Sequence, residues 1–148
     1  MEFKTDAQKE CYYQILDWMD ELFGDYPWEK LDEPGFGLFL GSAWVEVLIS
    51  PWEEDETVIK TQSKVVIDAK ITPELMSFLL EANSEMMFGA FSVNKAGEIL
   101  FSHSIVGSTC DPEELEASVL AVLEVSDDYD DKIIRTWGGK RALDIAPR

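Results

Sequence analysis

Apolar residues recur three and four positions apart from Tyr12 through Ile15, Leu16, Met19 and Leu22 to Phe23, with Thr5 and Gln8 spaced as a capping box ahead of them and Gly24 behind. That period places one stripe of a helix against a core, so the pattern predicts a first helix over about residues 6–23. Residues 25–35 carry two prolines and a run of acids and read as a connecting loop. Three strands are predicted next, over about 36–40, 43–50 and 57–68, from Val/Ile enrichment and the acidic turn at residues 51–56. The apolar phase of the third strand changes between Val58-Ile59 and Val65-Ile67, which calls for a bulge or bend.

Thr72-Pro73 sets an N-cap followed by proline at the first helical position, and Leu75, Met76, Phe78, Leu79 and Leu80 then predict a second helix to about residue 83. Segments 87–94 and 98–106 form a hairpin around Lys95-Ala96-Gly97, where the glycine can take the positive φ a short link needs. Asp111, Pro112 and Glu114 start a third helix, whose stripe of Leu115, Val119, Val122, Leu123, Tyr129 and Ile133 runs to about residue 135 before Gly138-Gly139. The order is α-β-β-β-α-β-β-α, an α+β fold with an antiparallel sheet flanked by helices. Residues 1–148 are read as one domain, and residues 138–148 as a flexible basic tail.

Charge narrows the choice of partners. Twelve Lys and Arg against 30 Asp and Glu leave a formal charge of −18, which repels nucleic acid because binding it is led by cations neutralising phosphates. Eight Phe, five Trp and four Tyr argue for a packed core rather than an acidic disordered chain. The start of the chain has no basic segment followed by an apolar run, and no apolar stretch approaches membrane-spanning length, so a cytoplasmic location and no membrane partner are expected. Cys11 and Cys110 are accordingly expected as reduced thiols. Residues 111–131 hold nine acids and no Lys or Arg, whereas residues 132–148 hold five basic residues and one acid. The acids suit the solvated face of the third helix, and the basic tail could grip an acidic partner or fold back on that helix.

The candidate chemistry is sparse. Asp127-Asp128-Tyr129-Asp130-Asp131 lacks the alternating acids and central glycine of a calcium loop, and one His with two distant Cys does not make a zinc set. Cys110 before a helix N-terminus, with His103 upstream, is the one candidate nucleophile pair, though His103 shares strand parity with Ile99, Phe101 and Ile105 and suits a structural role. Gly35-Phe36-Gly37-Leu38-Phe39-Leu40-Gly41 lacks the spacing and the lysine of a phosphate loop. No catalytic residue, cofactor or metal is therefore assigned. Two apolar groups remain. Trp44, Leu48 and Trp52 share parity with Glu46 and form a candidate protein-binding patch, and Leu75, Met76, Phe78 and Leu79, more apolar than one buried stripe requires, are candidate dimer contacts.

The run Phe78-Leu79-Leu80-Glu81-Ala82-Asn83, the segment Met87-Phe88-Gly89-Ala90-Phe91-Ser92-Val93, the turn Lys95-Ala96-Gly97-Glu98-Ile99 and the helix from Pro112 resemble the YbjN family. That family is similar in fold to the type III secretion chaperones, with the same α-β-β-β-α-β-β-α order. Residues 126–130 and 138–142 look like a cyanobacterial branch of unknown function within that group. The resemblance implies a small acidic homodimer without enzymatic activity that holds a polypeptide along apolar patches. The expected function is thus a chaperone-like or regulatory protein-binding module, with itself and an unidentified polypeptide as partners. The alternative is a regulatory domain sensing a small ligand between the first helix and the sheet.

Overall fold

The computed structural model describes residues 1–145. Thr5 caps α1 (Asp6–Phe23) by accepting the Gln8 amide at 3.1 Å, and the Gln8 side chain reaches back to the Lys4 amide and donates to the Ile49 carbonyl at 2.9 Å. The capping box is thus also a tether between the helix start and the sheet. Six strands follow as β1 (Trp28–Lys30), β2 (Gly35–Leu40), β3 (Ala43–Trp52), β4 (Glu56–Val66), β5 (Ala90–Val93) and β6 (Ile99–Val106). They make one antiparallel sheet in the order β1-β2-β3-β4-β6-β5. The helix α2 (Pro73–Asn83) joins β4 to β5, α3 (Pro112–Trp137) follows β6 after a single 3-10 turn, and a short α4 (Ala142–Ile145) ends the described chain.

The fold class is α+β, as the apolar pattern implies. The register shift falls between Lys64 and Val66, where the change of phase called for it. β1 is an addition: a connecting loop was expected there, yet Trp28 pairs with Leu38 and Lys30 with Phe36. Three residues between two prolines carry no periodicity of their own, and the pairing comes from β2. The described part of the segment read as a basic tail, 138–145, makes contacts with the rest of the chain. Ile67 and Lys140 exchange backbone hydrogen bonds, Ala142 is buried, and the Leu143 amide donates to the Ser42 carbonyl. The tail folds back on the acidic helix through Arg141, which lies 3.3 Å from Asp131. Residues 146–148 of that expected tail lie outside the described residues.

One face of the sheet receives the helices. Phe36, Leu38, Val45, Val47, Ile49, Ile59 and Phe101 pack there against Tyr12, Ile15, Met19, Leu75, Leu115, Val119 and Leu123 in a single core. The side of α3 that meets the sheet also carries polar groups four or eight residues apart. Ser118 bonds His103 Nδ1 at 2.7 Å, Ser126 bonds Ser63 at 2.7 Å, and Asp130 bonds Ser42. Small hydroxyls let the helix approach the strands closely, and Ser118, Ser126 and Asp130 each meet a polar partner across the seam, whereas the buried Thr61 hydroxyl of β4 has none. No helix among the described residues is long and apolar enough to cross a membrane.

Candidate functional site

No helix among the described residues packs on the other face of the sheet. Side chains along β3 alternate between buried and partly exposed, so Ala43, Val45, Val47 and Ile49 enter the core while Trp44, Glu46 and Leu48 stay outside. The shared parity of Trp44, Leu48 and Trp52 is retained, and Trp52 is 50% exposed at the far end of the strand. Phe39 stands opposite Trp44 with ring centroids 4.8 Å apart, and the outward residues Val58 on β4 and Val106 on β6 extend the apolar surface beyond β3.

The glycines of β2 explain how large side chains fit on this face. A Cβ on Gly37 would lie 2.1 Å from the Trp44 ring, and one on Gly35 would lie 3.1 Å from a Leu48 methyl. Trp44 and Leu48 therefore lie down across β2 instead of standing off the sheet. Gly35 and Gly37 form a flat seat, which is why this glycine-rich run has the composition but none of the spacing of a phosphate loop.

A second apolar surface lies along α2 and the β5 edge. Met76, Leu80, Met87, Phe88 and Val93 are all exposed, Leu80 at 69% and Met87 at 90%. The four expected dimer contacts divide here. Leu75 and Leu79 are buried in the chain's own core and have no surface left for a partner; Phe78 is half-buried against Tyr129 and Trp137; Met76 alone of the four is exposed. An over-apolar helix is thus accounted for by two neighbours within the chain, α3 and β5, plus an outer strip of Met76 and Leu80. Met87 and Phe88 lie in the loop before β5, whereas the apolar pattern places them in a strand from residue 87.

The remaining candidates do not assemble into reactive chemistry. Burial pushes the Cys110 thiol up to about 12, with Glu114, Cys11 and Asp111 adding to the effect and outweighing the nearby helix start. His103 is bound to Ser118 and stacked edge-on to Phe88, and burial lowers its pKa, so it is a neutral structural group. Cys11 and Cys110 are both free and buried. No group of three or more potential metal ligands occurs among the described residues. Within the acid run, Asp128 and Asp131 are exposed, Asp127 is half-buried and Asp130 is 1% exposed. Asp130 was missed because it sits among acids, yet its spacing from Ser118, Val122 and Ser126 marks it as inward-facing. An open cleft of about 760 Å³ lies between residues 1–4, the Asp32-Glu33-Pro34 loop and Leu48 to Pro51. The region between α1 and the sheet is instead filled by Tyr12, Ile15 and Met19.

The described residues thus form a helix-backed antiparallel sheet with an apolar outward face, an architecture that suits a binding scaffold. The family described as T3SS (YopN, CesT) and YbjN peptide-binding chaperone 1 matches residues 12–145, and the chain belongs to it. Among curated proteins, none matches this chain.

Proposed function

We propose that this chain is a non-enzymatic peptide-binding chaperone or regulator that holds a polypeptide on the open face of its sheet. The observation that carries this reading is the outward apolar surface of half-buried Phe39, Trp44 and Leu48 and exposed Trp52, kept flat by Gly35 and Gly37. Membership of a peptide-binding family supports it. Aromatic anchors supply most of the energy at such surfaces, and flat backbone-rich sheets suit extended segments. Glu29 and Glu46 stand on this face with Lys60 and Lys64, Lys64 being paired with Glu98, and residues 53–55 add three acids at its end, so acids outnumber bases and the fitting partner is apolar with flanking Lys or Arg.

The chain acts as a homodimer in this reading, joined through Met76, Leu80, Met87, Phe88 and the β5 edge, and it works in the cytoplasm, where its buried thiols stay reduced. Small-ligand sensing is the second reading. The open cleft beside residues 1–4 favours it, and a ligand there would contact Gln8 and Ser50.

Immobilised short peptides graded in apolar and basic content test the main reading. Wild-type protein should be retained by apolar peptides with basic flanks. Trp44→Ala should lose about thirtyfold in affinity, the weight of one aromatic anchor of about 2 kcal/mol, with its circular dichroism unchanged. Equal retention of both proteins would remove the open face from the function.

A further inference from the structure

The turn between β2 and β3 is fastened to α3 by a group of atoms that holds one hydrogen too few if both its carboxylates are ionised. Ser42 Oγ contacts Asp127 Oδ1 at 2.9 Å and also contacts Asp130 Oδ2. The Ser42 amide donates to the same Asp127 oxygen at 3.0 Å. A serine hydroxyl carries one hydrogen and can donate it to one acceptor at a time. With two bare carboxylates, one oxygen would face the hydroxyl lone pairs with no proton between them. Asp130 is 1% exposed, so bulk solvent has almost no access to it.

We propose that Asp130 is a proton-binding site: its carboxyl stays protonated in the folded chain and donates to Ser42 Oγ, which donates in turn to Asp127. The relay is complete with that one added proton. Asp130 Oδ2–H meets Ser42 Oγ, Ser42 Oγ–H meets Asp127 Oδ1, and Asp130 Oδ1 accepts the Asp131 amide at 2.6 Å.

The surroundings favour the neutral form. Burial is the largest influence raising the Asp130 pKa, and the charges of Asp131 and Asp127 add to it against the hydrogen bonds from Ser42 and the Asp131 amide. The turn brings only the hydroxyl and amide of Ser42. From the other side Arg141, beside α4, feels Asp130, but its own ion pairs go to Asp131 and Asp144, each at 3.3 Å. Loss of the proton would therefore set Asp130 against Asp127 across a single hydroxyl and loosen the turn. Because Leu143 is tied to the Ser42 carbonyl, the C-terminal segment would loosen with it.

Carboxyl-carbon NMR titration of the full chain reads the site directly. Asp130 should titrate above the ordinary aspartate value of about 3.9. A midpoint for Asp130 at or below the ordinary value, or a raised midpoint at Asp127 instead, overturns the proposal. Asp130→Asn gives a second reading, because the amide can donate to Ser42 at every pH. A raised carboxyl contributes its full stability below the unfolded value and loses it as pH rises through the folded value. The melting temperature of Asp130→Asn relative to wild type should therefore climb between about pH 4 and 7. A difference that stays constant or falls overturns the proposal, and should the variant fail to fold, the titration alone decides.

Discussion

Gly37 shows how one missing side chain shapes a surface. The Trp44 ring occupies the place its Cβ would take, so Gly37→Ala forces the far end of the indole off β2. The fold should survive, because the displaced group lies on the open face. We expect unfolding free energy in urea to change by no more than about 1 kcal/mol, as lost ring packing is offset by the reduced chain entropy of alanine. The Trp44 indole NMR signal should move markedly; an unmoved signal would contradict the seat described for this ring. Parity along β3 made Trp44, Leu48 and Trp52 legible in the sequence, since alternation assigns a face without tertiary knowledge. The part played by Gly35 and Gly37 was not legible, because it depends on the register that sets Gly37 beside Glu46 and Gly35 beside Leu48. Cys110 failed as a nucleophile for a related reason: sequence shows the helix start that lowers a thiol pKa, but not the burial that raises it.

At the scale of elements, helices with a cap and a clean 3.6-residue stripe were the most legible. The observed α1 and α2 agree with the predicted spans, and α3 runs two residues beyond the expected end. β1 and the contacts of segment 138–145 were not, because each depends on a neighbour, β2 in one case and Ile67, Ser42 and Asp131 in the other. The helix α2 was read correctly as too apolar for one stripe, but its excess divides between core and surface. Leu80, at 69% exposed, is the residue to change, since it contributes little to the protomer core. If α2 and the β5 edge join two copies, Leu80→Asp should convert a dimer at micromolar concentration into a monomer in sedimentation velocity, with the thermal transition of the protomer retained. A wild-type chain that sediments as a monomer would exclude this interface.

For the molecule as a whole, the arrangement is asymmetric. All the helices and the polar seam of Ser118, Ser126 and Asp130 serve one face of the sheet, which leaves the other rigidly supported, with no helix among the described residues on it. A supported face of this kind suits binding, because it is ordered before the partner arrives and little conformational entropy is lost on contact. In the proposed reading the charge of −18 favours basic partners, so association should weaken as salt is raised. The most direct measurement is amide chemical-shift mapping of the labelled chain against a peptide that it retains. The expected perturbations fall on β2, β3 and β4, centred on Phe39, Trp44, Leu48 and Val58. Perturbations confined to residues 1–4 and the Asp32-Glu33-Pro34 loop, or to α2 and β5, would contradict binding on the open face of the sheet.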